Sequence, residues 1–188
     1  YECEIAEWLA FKEELKLLKD LPALTADNHR ITLLANVSGL SDIPLVIENR
    51  ADGIGLFRTE FVFTENGRKT IPTEEEQYTI YRTVLTAMKG KPVIIRTLDI
   101  GGDKEIPALS FPEEDNPFLG WRAIRYCIDT PDVFYPQLRA LLRAGVFGNL
   151  KIMFPMIISE EEIIELKHIV SMLEQELEKE GLPYAEHV

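Results

Sequence analysis

Three arginines follow or interrupt apolar runs of this 188-residue sequence, where a charged side chain is costly unless it is paired or functional. Arg58 lies in "GIGLFRTEF", Arg96 in "PVIIRTLDI" and Arg122 in "NPFLGWRAIR". Guanidinium groups stay charged at any accessible pH and bind phosphate or carboxylate through paired hydrogen bonds. Converging arginines would therefore suit a small, multiply charged anion. Phosphoryl transfer most needs such a clamp, because its transition state spreads charge over several oxygens.

Each arginine also has an ordinary structural interpretation. Arg58 could pair with Glu60 as part of the scaffold, and Arg122 with Arg125, three residues on, could form a solvated helix face. In "RTLDIGGDK", residues 96–104, two adjacent glycines permit positive φ and a close backbone approach to a ligand, but they also suit a plain turn. If the strand continued, its alternation would separate Arg96 from Asp99.

Apolar and amphipathic patterns alternate along the chain. Runs rich in β-branched residues predict strands at 31–38, 53–61, 92–100 and 151–157. Helical patterns cover 2–19, a segment near 40–50, 74–89, a pair within 119–145, and 160–180. Two helix starts have the Ser/Thr-x-x-Glu form, at Thr73 with Glu76 and at Ser159 with Glu162.

This order predicts an α/β fold, because strands separated by helices pair in parallel. The sequence lacks a Gly-x-Gly-x-x-Gly loop after a strand, which disfavours an open dinucleotide-binding sheet. Polar residues at strand ends favour a barrel, and a complete one needs eight strands and about 250 residues. We therefore predict an incomplete (β/α)8 TIM barrel, about its first four β/α units, preceded by an N-terminal helix. The predicted boundary separates a linker helix and lead-in segment, 1–25, from the half-barrel, 26–188.

Composition excludes several classes of function. Acidic residues number 32 against 20 basic ones, for a net charge of -12, so general binding to nucleic acid or anionic lipid is not expected. No run approaches the roughly 18 to 20 apolar residues of a membrane span, and the N-terminus does not read as a signal peptide. Two distant cysteines, Cys3 and Cys127, predict idle thiols in a cytoplasmic protein rather than a disulfide framework.

The remaining polar candidates are weaker. His29, His168 and His187 are scattered over a turn, an amphipathic helix and the chain end, so none is favoured as a catalytic base or phosphate carrier. The glutamates of "TEEEQ" and "SEEEIIEL" are most simply first helical turns, whose acids complement the helix dipole.

Five motifs carry a family resemblance over nearly the whole chain: "GIGLFRTEF", "PTEEEQY", "RTLDIGGDKEIP", "NPFLGWRAIR" and "LKIMFPMI". In this order they resemble the phosphoenolpyruvate (PEP)-binding domain of the enzyme I family of the bacterial phosphotransferase system. The resemblance implies a phosphotransferase whose barrel binds PEP and Mg²⁺ at the carboxyl ends of its strands. It also implies phosphoryl transfer to a histidine on a separate domain, then to the carrier HPr for sugar uptake, and a homodimer of the parent protein.

The resemblance assigns roles by position. Arg58 and Arg96 match the family's substrate arginines, and Arg122 matches a third, catalytic arginine. The family's magnesium ligands, in "VETP" and "GTNDLTQY" stretches, are expected beyond residue 188, so no metal ligand is predicted here. Asp99 and Asp103 are then expected to orient arginines or Lys104. The chain by itself is expected to be inactive.

Two alternatives stay open, and one consequence follows from a half-barrel. Pyruvate phosphate dikinase and phosphoenolpyruvate synthase share a Gly-x-Gly-Leu-x-Arg strand, so the chain could belong to that branch. A non-catalytic module that binds an anion or a partner is the second alternative. A half-barrel would leave its first and fourth strands with open edges, which favour self-association.

Overall fold

A computed structural model describes residues 2–64, 68, 70–101, 109, 111, 114–186 and 188. Its helices are α1 (Glu2–Leu18), α2 (Ile43–Glu48), α3 (Glu60–Thr64), α4 (Glu74–Met88), α5 (Ala123–Asp129), α6 (Pro131–Gly145) and α7 (Glu160–Glu180). Its strands are β1 (Leu34–Val37), β2 (Gly53–Phe57), β3 (Pro92–Arg96) and β4 (Asn149–Met153). A short 3-10 turn, Leu40–Asp42, precedes α2.

The four strands form one parallel sheet in the order β1-β2-β3-β4. The predicted α/β fold with a parallel sheet and an N-terminal helix is therefore confirmed. Each described strand adds beside the previous one without the reversal of order that marks a doubly wound sheet. Consecutive addition is the order in which a barrel is built, so the described sheet is consistent with part of one.

Helix starts follow the sequence signals. Thr73 accepts a hydrogen bond from the Glu76 N–H, and the Glu76 carboxylate accepts one from the Thr73 N–H at 2.8 Å, which completes a capping box at α4. At α7, the Ser159 hydroxyl accepts from the Glu162 N–H at 3.3 Å. Both predicted starts are confirmed.

All four strands are shorter than the predicted runs: β1 begins later than residue 31, β4 ends at Met153 rather than residue 157, and β2 and β3 also end early. The run 53–61 ends as β2 at Phe57, because residues 60–64 turn into α3 and bury Val62 and Phe63. The run 92–100 ends as β3 at Arg96, although Leu98 and Ile100 beyond it are fully buried. Apolar content indicates that a residue is buried, but it does not show whether the residue pairs with a neighbouring strand. The ends of β2 and β3 were therefore predicted too late.

The core lies between the sheet and the helices α4 and α6, which pack against each other. In β3, Val93 and Ile95 are completely buried, while Ile94 and Arg96 on the opposite face are only half-buried. Arg96 therefore lies on the sheet face away from the main core. There its side chain contacts Glu60 of α3 and is 16% exposed.

Helix α1 buries none of its described side chains, and apolar residues such as Trp8 and Phe11 remain more than half exposed. Its helical pattern is confirmed by the structure, whereas the predicted boundary after residue 25 stays a prediction. None of the described helices has both the length and the apolar character needed to cross a membrane.

Candidate active site

Three neighbouring strands bring polar residues to one edge of the sheet, at their carboxyl ends. Arg58 directly follows β2, and its N–H donates to the Val37 carbonyl at the end of β1 at 3.0 Å. The Arg58 guanidinium donates to the Ser38 hydroxyl and is exposed. Glu60, which could have neutralised Arg58, instead contacts Arg96. The structure thus leaves Arg58 accessible and without a carboxylate partner among the described residues.

Arg96 is held between two carboxylates. Its Nη2 donates to Glu60 Oε1, and its Nη1 lies 2.8 Å from Asp99 Oδ2. The Arg96 side chain is 16% exposed, so the guanidinium is fixed but still reachable. Asp99 was expected on the opposite face from Arg96. The expected alternation of side chains between the two sheet faces does not apply, because strand β3 ends at Arg96 and residues 97–99 are no longer part of the strand.

Asp99 joins Arg96 to Arg122. Its second oxygen, Oδ1, accepts from Arg122 Nη2 at 3.1 Å, and the Arg122 side chain is only 9% exposed. Three arginines were predicted to converge. The structure joins Arg96 and Arg122 through Asp99, whereas no described contact joins the Arg58 guanidinium to either of them. The expected orienting role of Asp99 agrees with its two contacts. Arg122 is not on a solvated helix face, so that alternative is wrong.

The backbone around Arg122 is shaped by two unusual residues. Gly101 has φ 123°, and a Cβ built on it would lie 2.4 Å from the Arg122 Cβ. Ala123, whose N–H donates to the Ile100 carbonyl at 3.0 Å, has φ 51°, a strained value for a residue with a side chain. Only glycine at 101 permits this approach, which sets the position of Arg122 against the end of the β3 segment.

Arg125 has a structural task instead. Its Nη1 donates to the carbonyls of Leu119 at 2.8 Å and Gly120 at 2.6 Å, at the end of the loop before α5. The Trp121 indole donates to Asp129 at 2.6 Å from the other side. These hydrogen bonds fix residues 119–121, the segment directly before Arg122.

The Arg96 and Arg122 guanidiniums retain unused donors. Each has a buried Nε–H without a hydrogen-bond partner in the described part of the chain. Buried donors of this kind are rare, because leaving one unsatisfied is costly. Arg125 has a buried Nε–H of the same kind, and Glu60 and Asp99 already offset the charges of Arg96 and Arg122. An anion would satisfy the hydrogen-bonding capacity of the Arg96 and Arg122 donors.

Carboxylates at the site do not fit a magnesium ion. Both Asp99 oxygens accept from guanidiniums, and Glu60 binds Arg96 through Oε1. Across the described ranges, no three His, Cys, Asp or Glu side chains are grouped so that they could hold a metal. Mg²⁺ needs several oxygen ligands in octahedral geometry, and here the available carboxylates are committed to arginines.

Other candidates lie elsewhere or are inert. His29 and His168 are exposed. Burial, reinforced by the nearby Asp99 charge, raises the pKa of the Cys127 thiol, which donates to the Leu98 carbonyl at 3.6 Å, in keeping with an idle thiol. Gly102, Asp103, Lys104, His187 and the Cys3 side chain lie outside the described residues.

Sequence reasoning missed two buried polar residues behind the arginines. Thr59 donates from Oγ1 to the Arg96 carbonyl at 2.9 Å, and Gln137 accepts at Oε1 from the Leu98 N–H at 3.0 Å. A signal for Gln137 was available, since it occupies the apolar face of α6 beside Phe134 and Leu141. Nothing local marks Thr59 as a partner of Arg96.

The model of the family described as "PEP-utilising enzyme, PEP-binding domain" matches residues 12–188. The chain belongs to this family. The PEP-binding domain is 54% identical over 177 residues to the phosphoenolpyruvate-protein phosphotransferase of Staphylococcus carnosus (strain TM300), covering 94% of the chain and 30% of that relative. The corresponding protein of Priestia megaterium is 50% identical over 188 residues, covering 100% of the chain and 32% of that relative.

A third phosphoenolpyruvate-protein phosphotransferase, from Haemophilus influenzae, is 53% identical over 170 residues, with 90% of the chain and 29% of the relative covered. The PEP-binding domain therefore spans about 30% of the length of the curated relatives it matches. The family resemblance drawn from the five motifs is confirmed.

Proposed function

We propose that this PEP-binding domain is part of a phosphoenolpyruvate-protein phosphotransferase, enzyme I of the bacterial phosphotransferase system. The observation that carries the proposal is the pair Arg96 and Arg122, fixed by Asp99 at the strand ends and each retaining an unused Nε–H. Relatives with this printed name match at 50–54% identity over at least 90% of the chain.

In this proposal the arginines divide the work. Arg58 and Arg96 bind the substrate phosphate, and Arg122 is the catalytic arginine that stabilises charge on the phosphoryl oxygens as the P–O bond breaks. Arg58 is exposed and suited to capture the anion, whereas Arg96 and Arg122 are held in place before it arrives. Donors fixed in advance stabilise a transition state without reorganisation, and such electrostatic terms are worth about 3 kcal/mol for one donor.

The wider setting extends the same proposal. The consecutive order of the parallel strands supports a (β/α)8 TIM barrel, of which residues 26–188 form about the first half. Mg²⁺ would neutralise the substrate phosphate from ligands that the family resemblance places beyond residue 188, and the described carboxylates do not fit it. The phosphoryl group would pass to a histidine domain and then to HPr for sugar uptake, in a cytoplasmic homodimer.

Two other functions are less well supported. A pyruvate phosphate dikinase or phosphoenolpyruvate synthase would share Arg58, the arginine that follows β2, but the relatives named above are phosphotransferases. A non-catalytic anion-binding module would need the arginines but no transfer of phosphate. Turnover of PEP by the full-length protein separates this module from either enzyme.

The test is to replace Arg96 with Ala in the full-length protein and to measure PEP-dependent phosphorylation of HPr. We expect the loss to fall mainly on turnover, because Arg96 acts on the charge that develops in the transition state. Arg30→Ala, which removes a 70% exposed arginine paired with Asp52, is the control and should retain activity. Unchanged turnover in Arg96→Ala would overturn the assignment.

A further inference from the structure

A line of buried polar side chains runs from the site into the layer between α4 and α6. It consists of Thr59, Gln77, Tyr81 and Gln137, whose exposed fractions are 0, 0, 0 and 1%. Polar groups at this depth are costly unless they are hydrogen-bonded. Their position directly behind Arg58 and Arg96 raises the question of what they hold.

Near the site, two of these side chains hold the backbone just past β3. The ladder between β3 and β4 ends at Arg96 and Met153, followed by one bond from the Thr97 N–H to the Met153 carbonyl at 2.9 Å. The Arg96 carbonyl then accepts from Thr59 Oγ1 at 2.9 Å, and the Leu98 N–H donates to Gln137 Oε1 at 3.0 Å. Side-chain hydrogen bonds thus hold the backbone of residues 96–98 where the pairing of β3 with β4 ends.

The hydrogen bonds form one consistent series. The Gln137 amide donates from Nε2 to Thr59 Oγ1 and to the Tyr81 hydroxyl, both at 3.3 Å. Tyr81 in turn donates to Gln77 Oε1 at 3.0 Å, and Gln77 Nε2 donates to the Pro72 carbonyl at 3.1 Å. Each donor atom in this series has an acceptor, and the bonds run outward from Gln137, on one side to Thr59 and on the other to Tyr81, Gln77 and Pro72.

Thr59 links the two substrate arginines assigned above. It lies between Arg58 and Glu60, and Glu60 Oε1 accepts from the Arg96 guanidinium. The segment 58–60 therefore holds Arg96 at its backbone through Thr59 and at its side chain through Glu60. A shift of this segment would change the spacing between the Arg58 and Arg96 guanidiniums.

We propose that Thr59, anchored by Gln137, is a positioning residue that sets the spacing of Arg58 and Arg96 for the phosphate of PEP. The inference rests on the proposed function, since it assigns a role at the same site. Thr59 does not contact substrate in this proposal. It acts through the Arg96 backbone and through its own place in the chain next to Arg58.

The network itself supplies a matched control. Thr59→Val keeps the shape of the side chain but deprives the Arg96 carbonyl and one Gln137 donor of their partner. Tyr81→Phe removes the acceptor of the other Gln137 N–H and the donor to Gln77 Oε1. Tyr81 lies in the part of the network that contacts neither Arg58 nor Arg96. Both variants break two buried hydrogen bonds, so similar losses of stability are expected. Thr59→Ser retains the hydroxyl.

The experiment measures kcat and KM for PEP and the melting temperature of the full-length protein with each substitution. We expect Thr59→Val to lower kcat/KM by about tenfold to a hundredfold, mainly through kcat, because small misplacements of binding groups cost this much. Tyr81→Phe and Thr59→Ser should stay within about threefold of the unsubstituted protein, since the arginine spacing is preserved. Tyr81→Phe should nevertheless melt at a lower temperature.

The outcomes separate the two proposals. If the unsubstituted protein turns over PEP and Thr59→Val matches it, the positioning role is wrong and the proposed function stands. If Thr59→Val and Tyr81→Phe lose activity alike, in step with their melting temperatures, the network is structural only, which also overturns the inference. If the unsubstituted protein neither binds nor turns over PEP, the proposed function fails and the inference falls with it.

Discussion

At the scale of single residues, the position of Arg122 depends on Gly101, because any side chain at residue 101 would collide with Arg122. Gly101 adopts φ 123°, and its Cα lies against Arg122 so closely that an added Cβ would meet the Arg122 Cβ at 2.4 Å. Gly90, just past α4, also has a positive φ, 82°, but no atom lies within 4 Å of the site of its Cβ. Substitution of Gly90 would therefore introduce backbone strain alone, whereas substitution of Gly101 would also displace a neighbouring residue.

Gly101→Ala should lower both stability and activity, because the new methyl group displaces Arg122. Gly90→Ala should cost only about 1 kcal/mol of stability, the penalty for a left-handed residue with a Cβ, and retain activity. Urea denaturation and kcat/KM for PEP in the full-length protein measure the two effects. Equal activity in the two variants would contradict a role for Gly101 in placing Arg122.

At the scale of the elements, the start of α4 is stabilised by a charged capping residue. Arg68 donates to both Glu76 oxygens, at 2.7 and 3.0 Å, and the Thr73 N–H donates at 2.8 Å. These bonds, with those from Arg68 the largest cause, lower the pKa of Glu76 from about 4.5 to about 2. The carboxylate is partly exposed, so its effect on stability is screened by solvent.

The depressed pKa of Glu76 predicts a pH dependence of stability. A carboxylate with a lower pKa in the folded state contributes stability above its unfolded pKa and loses it as pH falls through its folded pKa. Between pH 4.5 and pH 2 the unsubstituted protein should therefore lose more stability than Glu76→Gln. Melting temperatures of both proteins over this range provide the test. Parallel curves would show that Glu76 contributes nothing.

Helix α6 is tied to α4 and α7 by Arg139. Its Nε lies 2.7 Å from Glu74, and its Nη2 lies 2.6 Å from Glu180. The Arg139 side chain is only 14% exposed, whereas Arg50, paired with Asp20, is 64% exposed. Similar ion pairs thus occur in a shielded and in an open environment.

Arg139→Ala should lower the free energy of unfolding by about 1 to 2 kcal/mol, because it leaves Glu74, only 22% exposed, with Arg143 as its one remaining described partner and removes the partner of the more exposed Glu180. Arg50→Ala should cost less than about 1 kcal/mol, since exposed ion pairs contribute little. Urea denaturation of both variants gives the comparison. Equal losses would mean that the α4–α6–α7 ion cluster is solvated as fully as the surface pair.

At the scale of the whole molecule, the proposed anion site lies in a chain whose described residues lack other parts of a transfer reaction. The histidines His29 and His168 are exposed and belong to a loop and to α7, not to the Arg96–Asp99–Arg122 cluster. Within the same described residues, no carboxylate group is fit to hold magnesium. Because the net charge is -12, binding of an anion would depend on a local feature such as the arginines near the strand ends.

The isolated chain should therefore transfer no phosphate. Incubation with labelled PEP, Mg²⁺ and HPr should leave HPr unlabelled, whereas the full-length protein under the same conditions should label it. The full-length protein is the control for the quality of the reagents. Catalytic labelling of HPr by the chain alone would refute this expectation. It would also refute the assumption that the metal ligands and the phosphorylated histidine lie in other parts of the full-length protein.

Local signals in the sequence predicted most of the helices, the presence of four strands and the arginines proposed to bind the substrate. Periodicity and capping residues act over a few positions, so α1, α4, α6, α7 and the Thr73 box were predictable. Arg96 and Arg122 were found because a charge beside an apolar run requires an explanation. Helix α3 was not found, because its five residues continue the apolar run of β2.

Only the tertiary structure decided how these parts meet. Asp99 contacts Arg122 across 23 residues, and Thr59 contacts Gln137 across 78. Such contacts depend on where β2, β3, α5 and α6 pack, which no local pattern specifies. The sequence by itself determined which groups could bind a phosphate. The fold decided that Asp99, Thr59 and Gln137 hold them, because packing alone brings distant buried polar groups within hydrogen-bonding distance.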